Sequence, residues 1–151
     1  MTTYAITGDD TFLLNAKLLD DLTDGSVVTI NYDNDRVGLS TGKNGTTVFA
    51  DNRQGVNGTV ELRVLMGSAT DKYLNGLSIT QENDTIGFNL LSGIFAKRTG
   101  DGHGNIQYVQ YALAGGMFSR FPDVQENNTG DTEQGTVVYT IKFANISRTI
   151  A

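Results

Sequence analysis

Short stretches of alternating apolar and polar residues, separated by clusters of Gly, Asn and Asp, run through most of this chain. Alternation with a period of two places apolar side chains on one face of a β-strand, while Gly and Asn favour the turns between strands. The clearest case is residues 137–145. Its apolar face carries Val137, Tyr139, Ile141 and Phe143, and Thr140 and Lys142 point to the other face. The pattern predicts an all-β fold, mainly an antiparallel sandwich or barrel, in a single domain spanning residues 1–151.

The remaining elements follow from the same pattern. The other predicted strands are residues 27–32, 46–50 and 59–66, and a long hairpin of 88–98 and 106–118 with a glycine-rich tip at 99–105. For residues 11–19 the alternation favours a strand, although Leu14, Leu18 and Leu22 also repeat at a helical spacing. One short helix is predicted at residues 68–79, because Ser68 is a good N-cap and Asp71 follows three residues later.

Residues 33–57 form a long polar stretch that contains only one short predicted strand. So long a polar segment within a compact domain is usually a functional loop, and we interpret it as a contact arm. Its candidate contact residues are the following charged and amide side chains: Asp33, Asp35, Lys43, Asn44, Asp51 and Arg53.

The predicted strand at residues 106–118 has apolar residues on both faces. One face carries Ile106, Tyr108 and Ala112, and the other carries Val109, Tyr111 and Leu113. A sandwich covers only one face of each strand, so the second apolar face must be central to the core or covered by another subunit. The pattern therefore favours an oligomer.

The residue types needed for catalysis are scarce. The chain has no Cys and one histidine, His103, which lies between glycines at the predicted hairpin tip. Asp33 begins a segment like a calcium loop, but Val37 and Asn44 stand where an oxygen ligand and a bidentate Glu are required. We therefore predict no enzymatic activity, no metal site and no cofactor.

Two segments carry a resemblance to a known family. The first is the polar arm 119–134, in which Arg120, Pro122 and Asp123 precede Glu126-Asn127 and Gly130-Asp131-Thr132-Glu133-Gln134. The second runs from a strand at 58–65 directly into the segment 67–75, which begins with Gly67 and Ser68. Together they resemble the tail tube proteins of contractile-tailed bacteriophages.

That resemblance implies hexameric rings that stack into the inner tail tube, a conduit for genome ejection in the virion. The implied partners are further copies of the chain, the sheath outside, the tape measure protein inside, and the baseplate and tail terminator at the ends. DNA would pass through without specific binding. The implied contact residues between neighbouring subunits are Arg120, Pro122, Glu126, Asp131 and Glu133. The contact residues of the stretch 33–57 would then lie between stacked rings.

Simple geometry and charge agree with a conduit. If six copies each contribute four strands, spacing and tilt give a barrel with a free bore of about 38 Å, wide enough for duplex DNA. The net charge of -6 would oppose DNA binding, which requires Lys and Arg to displace counterions. We therefore expect an electronegative bore, although the polar positions Glu61 with Arg63 and Thr140 with Lys142 leave the inward face open.

Residues 1–10 lack the features of a secretory signal, so we expect assembly in the host cytoplasm without membrane contact. Two alternatives stay open. The first is a tube subunit of a phage-like secretion or injection system, which would share the fold. The second is a β-sandwich binding module, which normally presents exposed aromatic residues, commonly Trp, whereas this chain has none.

Overall fold

A computed structural model of the chain describes residues 5–15, 17–19, 28–100, 102–125 and 135–150. The strands are β1 (Ala5–Leu14), β2 (Lys17–Leu18), β3 (Val28–Tyr32), β4 (Val37–Thr41), β5 (Thr47–Asp51), β6 (Gly58–Leu65), β7 (Leu91–Gly100), β8 (Ile106–Phe118), β9 (Asp123–Gln125) and β10 (Thr136–Ile150). The helix α1 spans Ala69–Asn83, and a short 3-10 helix spans Arg53–Val56. The protein is therefore mostly antiparallel β-structure with one α-helix.

Two sheets of very different size form the fold. The large one has eight strands in the order β2-β1-β7-β8-β10-β6-β3, with β9 paired to β10, and all described pairs are antiparallel. The small one is the hairpin β4–β5 alone. The long strand β10 connects the two halves of the large sheet, because its first half pairs with β6 and its second half pairs with β8.

One hydrophobic core lies on the inner side of the large sheet, beneath α1. Alternation along β6 buries Val60, Leu62 and Val64 completely. Leu74 from α1 is also fully buried, while Tyr73 and Leu77 are partly buried against the same core. Burial of this kind is the dominant favourable term in folding. The largest buried side chains, fully enclosed or nearly so, include Phe12, Leu14, Leu91, Tyr139, Ile141 and Phe143.

A kink in β8 and β10 changes which side chains face the core. Odd-numbered residues of β10 are buried as far as Phe143, and then Ile146 is buried instead. The change occurs beside Gly115, which has a φ of +68° and whose added Cβ would lie 3.1 Å from the Cβ of Ala144. A left-handed glycine permits such a bend. Beyond the kink, Leu113 and Ile146 face the core as a register pair.

The helix begins as the sequence predicts. The Ser68 side chain accepts a hydrogen bond from the backbone N–H of Asp71 at 3.2 Å. The Asp71 carboxylate accepts one from the backbone N–H of Gly67 at 2.9 Å, one residue earlier than in a regular capping box. The first of these bonds satisfies a backbone N–H of the first helical turn, which has no partner within the helix.

Several predicted boundaries need correction. The helix continues past residue 79 to Asn83, and its last turn is held to β8 because the Gln81 side chain donates to the Phe118 carbonyl and accepts from the Phe118 backbone N–H, both at 2.8 Å. The expected strand at 11–19 is divided by Asn15, whose φ of 50° forms a turn between β1 and β2, and no helix forms in the described part of 11–22. The tip at 99–105 is shorter than predicted, since β7 extends to Gly100.

The polar stretch 33–57 contains more structure than its sequence indicates. It holds two strands, β4 and β5, where one was predicted, together with the 3-10 helix. The final strand also runs on to Ile150, five residues past its predicted end at 145, because the kink interrupts the alternation without ending the strand. The remaining strands lie close to their predicted positions.

Candidate assembly surfaces

The hairpin β4–β5, here called the arm, exposes both of its faces. Every residue of both strands is solvent-exposed. Leu39 lies directly opposite Phe49 in the register, so these two side chains share one face with Val37. Leu39 is 64% exposed and Phe49 is 71% exposed. An isolated two-stranded hairpin is marginally stable in water, so an exposed apolar face of this kind favours contact with another surface.

The tip of the arm is held by local hydrogen bonds. The backbone N–H of Gly42 donates to the Thr46 carbonyl at 2.7 Å, and the Asn44 side chain accepts from the backbone N–H of Thr46 at 3.1 Å. Gly45 adopts a φ of +89°, which glycine allows without strain. The arm is therefore a structured hairpin.

The base of the arm is tied to the large sheet. The Asp33 carboxylate accepts a hydrogen bond from the Thr59 hydroxyl at 2.8 Å and lies 3.5 Å from the Lys142 ammonium. The Asn52 side chain donates to the Asp35 carbonyl at 2.7 Å. An added Cβ on Gly55 would lie 2.6 Å from the Arg36 Cα, so only glycine permits the 3-10 helix to approach the arm this closely. These contacts fix the direction in which the arm leaves the sheet.

The six arm residues predicted from sequence are spread along this segment. Lys43 and Asn44 lie at the tip, and Asp51 ends β5 opposite Val37. Asp33 and Asp35 lie at the base, and Arg53 begins the 3-10 helix. The sequence reasoning missed the apolar face, although the alternation of Val37 and Leu39 was a signal that could have found it.

The second predicted contact segment is described only in part. The Arg120 guanidinium lies 3.0 Å from the Asp123 carboxylate, in an exposed ion pair that flanks Pro122. Directly after it, β9 pairs with the start of β10. Glu126, Asp131 and Glu133 lie outside the described residues.

Four adjacent strands, β1, β7, β8 and the second half of β10, form a sheet with two open edges. The outer edge of β1 pairs with β2 only at Leu13 and Leu14. No described strand pairs with the outer edge of β10 after Phe143, where its pairing with β6 stops. Unpaired edges present free backbone donors and acceptors, so proteins normally cover them.

A groove of about 580 Å³ follows the open edge of β10. Its walls include Ile146 and Arg148 from that edge, Val56 from the 3-10 helix and Arg36 at the base of the arm. The Tyr32 hydroxyl donates to the Ile146 carbonyl at 3.2 Å, which shows that this carbonyl points into the open edge. Residues two apart in a strand point their backbone groups the same way, so the N–H of Arg148 also points there.

One face of the same four strands is directed away from the core, and we call it the open face. The register places Thr11 and Leu13 on this face, level with Ala96 and Ile94. Arg98 lies opposite Tyr108, and Ala112 lies opposite Ile94. Apart from the half-buried Leu13 and Ala96, these side chains are exposed. The strand β10 completes it with Asn145, Ser147 and Thr149, all exposed.

The residues considered for a metal site or for proton transfer lie apart in the described part of the chain. No group of three His, Cys, Asp or Glu side chains is placed to hold a metal ion in the part of the chain that the structure describes. His103 lies exposed in the turn between β7 and β8. Burial, followed by a 2.6 Å hydrogen bond to the Asp71 carboxylate, raises the pKa of Tyr139, and this pair joins β10 to α1 in the core.

No family model and no curated protein matches the sequence. Solved structures share its fold. The tube-terminating cap of an anti-feeding prophage is 11% identical and aligns over 100% of this chain and 95% of its own, with a TM-score of 0.65. A chain of the sheath-tube complex of an extracellular contractile injection system is 7% identical over 94% of this chain and 88% of its own, with a TM-score of 0.64. A chain of the sheath/tube terminator of such a system is 8% identical over 94% of both chains, with a TM-score of 0.60.

The predicted tail-tube-like fold is therefore confirmed. Among the described residues, no helix is long and apolar enough to cross a membrane.

Proposed function

Since the chain has the fold of tube and cap components of contractile assemblies, we propose that it is a non-enzymatic structural subunit that closes into rings and forms a tube. The observation that carries this proposal is the four-stranded sheet with an open edge on each side. Each edge needs a partner strand, and a second copy of the chain supplies one.

The strand directions allow neighbouring copies to join without a break. The strands β1, β7, β8 and β10 alternate in direction, so β1 and β10 run opposite ways. When the β10 edge of one copy meets the β1 edge of the next, the new pair is antiparallel, like every other pair in the sheet. The groove along Ile146 and Arg148 gives an extended strand room to approach this edge. A head-to-tail contact of this kind closes into a ring when its rotation is a fraction of a full turn.

The volume of the elements on each side of the sheet determines which face lies inside the proposed ring. The core and α1 lie on the side of the sheet opposite the open face, as the burial of Leu113, Ile146 and Leu74 indicates. A bore of about 38 Å could not contain several copies of these elements. The ring therefore places the open face inward, around the bore, and the core outward.

Rings would stack through the arm. Its exposed apolar face of Val37, Leu39 and Phe49 has no cover among the described residues, and its base is fixed to β6 and β10 through Asp33. The polar residues predicted for this contact, with Lys43 and Asn44 at the tip, would surround that apolar face. Interfaces commonly combine an apolar centre with a polar rim.

For the stoichiometry and the biological assembly, we propose hexameric rings in the tail tube of a contractile bacteriophage. The tube would be assembled in the host cytoplasm and carried in the virion. The sheath would enclose the tube, the tape measure protein would occupy it, and the baseplate and terminator would hold its ends. The segment with Arg120 and Pro122, continuing to Glu126, Asp131 and Glu133, would contact the neighbouring subunit. Genome ejection through the bore completes this proposal.

A second candidate is a tube or cap subunit of a phage-like injection system. It is favoured by one observation: solved structures that share the fold come from extracellular contractile injection systems and from an anti-feeding prophage. A tube subunit polymerises without limit, whereas a cap forms a single ring. The length distribution of purified assemblies therefore separates a tube role from a cap role.

The proposal is tested by electron microscopy of the purified protein, which should show rings or hollow tubes. Arg148→Pro removes the backbone N–H that points into the open edge, so it should abolish rings while the intrachain pairing of β10 with β8 persists. Arg148→Ala is the matched control, because it also removes the hydrogen bond from Arg148 to the Tyr111 hydroxyl but keeps the backbone donor. Its rings should remain.

Strictly monomeric wild-type protein at high concentration, by light scattering and microscopy, would contradict the proposal. Normal rings in folded Arg148→Pro protein would contradict the assignment of the β10 edge. Circular dichroism of both variants should match the wild type, which separates a failure to assemble from a failure to fold.

A further inference from the structure

The open face combines small uncharged side chains with two exposed large apolar residues and one arginine. Its described side chains are mostly small or uncharged, such as Ala112, Ser147 and Thr149. Two large apolar residues are also exposed there, Ile94 at 46% and Tyr108 at 44%. Arg98 is the single charged side chain among those described on this face.

Arg98 is placed to contact a ligand. It lies directly opposite Tyr108 in the antiparallel pair β7–β8, so the guanidinium and the phenol project from the same face as neighbours. Arg98 is exposed, and no ion pair involving it is found in the part of the chain that the structure describes. A guanidinium beside an aromatic hydroxyl offers several donors to a carboxylate.

We propose that the open face is a binding surface for an acidic polypeptide inside the tube, with Arg98 and Tyr108 contacting its carboxylates and Ile94 contacting its apolar side chains. The inference rests on the proposed function, because only ring closure turns this face toward the bore. Ring symmetry then repeats Arg98 around the circumference, and stacking repeats it along the length. Many weak contacts to one chain add up to strong retention.

The apolar residues distinguish a polypeptide from DNA as the occupant. The exterior of duplex DNA presents phosphates to the wall of a conduit, and phosphates gain nothing from Ile94. A polypeptide has both carboxylates and apolar side chains, so it complements the whole face. The electronegative bore expected from the net charge of -6 has no support among the described side chains here, which include one cation and no carboxylate.

The test uses assembled tubes and labelled probes. Tubes are formed with a soluble peptide of alternating Glu and Leu residues, then sedimented, and the retained label is measured. The same assay is run with the Lys and Leu counterpart and with a short DNA duplex. The acidic peptide should be retained, and rising salt should release it because the contacts are partly electrostatic.

Variants assign the contact to residues. Arg98→Gln should reduce retention of the acidic peptide about tenfold, because the substitution removes the cation from every subunit at once. Tyr108→Ser should reduce it less. Arg63→Gln is the matched control, since Arg63 is an exposed strand arginine on β6, outside the open face. Its tubes should retain the peptide as the wild type does.

Three results would overturn the inference. They are intact tubes that retain no acidic peptide, equal loss in Arg98→Gln and Arg63→Gln, and retention of DNA as strong as that of the peptide. The last result would identify a general polyanion surface instead. Absence of tubes in micrographs of the wild type would instead contradict the proposed function, so the two failures are distinguishable.

Discussion

Two antiparallel strand pairs of this chain, β6–β10 and the arm β4–β5, share a local pattern but differ completely in their surroundings. In β6 the alternate residues Val60, Leu62 and Val64 are fully buried beneath the helix and the facing strands. In the arm, alternation places Val37, Leu39 and Phe49 on one face, and all of them are exposed. Alternation thus indicates that a face is apolar, but not whether the same chain covers it.

This difference separates the residues that stabilise the single chain from the residues that are available for contacts between copies. The β6–β10 pair is enclosed by contacts within one copy, including the hydrogen bond between Tyr139 and Asp71. The arm has hydrogen bonds at its tip and base but no apolar cover among the described residues. Substitutions in the first region should therefore affect folding, and those in the second should affect assembly.

The largest expected effect is a loss of folding stability from truncation in the enclosed region. Leu62→Ala removes a fully buried side chain and leaves a cavity, which should lower the free energy of unfolding by about 2–5 kcal/mol. Leu39→Ala, the same substitution on the arm, should change it by less than about 0.5 kcal/mol. Urea unfolding of the unassembled protein measures both. Equal losses in the two variants would remove the distinction between the regions.

A smaller effect concerns the pH dependence of the enclosed region. The Tyr139 hydroxyl donates to the Asp71 carboxylate, and burial raises its pKa above that of an unfolded tyrosine. Its contribution is complete below the unfolded pKa of about 10 and is lost as pH rises above it, since the unfolded chain releases the proton first. Tyr139→Phe should cost about 1 kcal/mol at neutral pH.

The same variant should also lose stability less steeply than the wild type above pH about 10, because the coupled proton is gone. Urea midpoints over an alkaline pH series measure this difference. Parallel declines in wild type and variant would show that Tyr139 does not contribute to alkaline unfolding.

Much of the fold was predictable because its strands alternate regularly. The strand at 106–118 and the N-cap at Ser68 lie where the sequence places them. One of the two apolar faces of that strand is exposed in the single chain at Ile106 and Tyr108, and its cover by another subunit stays a prediction. Strand alternation and helix capping can be predicted because they depend only on neighbouring residues in the sequence.

Other features could not be predicted because they depend on distant contacts. The kink at Gly115 and Ala144 changes which residues of β10 face the core, so the alternation stops at Phe143 while the strand continues to Ile150. The sequence also pointed to charged residues of the arm, whereas the apolar pair Leu39 and Phe49 is the more informative feature. Turn-rich composition around Asp33 and Asn44 concealed the strand between them.

The smallest expected change in folding stability belongs to the arm, and it carries the most information about function. Phe49→Ser replaces an exposed aromatic side chain that no described residue covers, so the free energy of unfolding should change by less than about 0.5 kcal/mol. Tube growth should nevertheless fail, since the substitution removes the centre of the proposed ring-to-ring contact.

Val48→Ser is the matched control, because Val48 is exposed on the opposite face of the same strand. If stacking uses the Leu39 and Phe49 face, micrographs should show long tubes for Val48→Ser and single rings for Phe49→Ser. Long tubes for both would exclude this face from stacking, and unassembled Phe49→Ser subunits would place the arm within the ring instead.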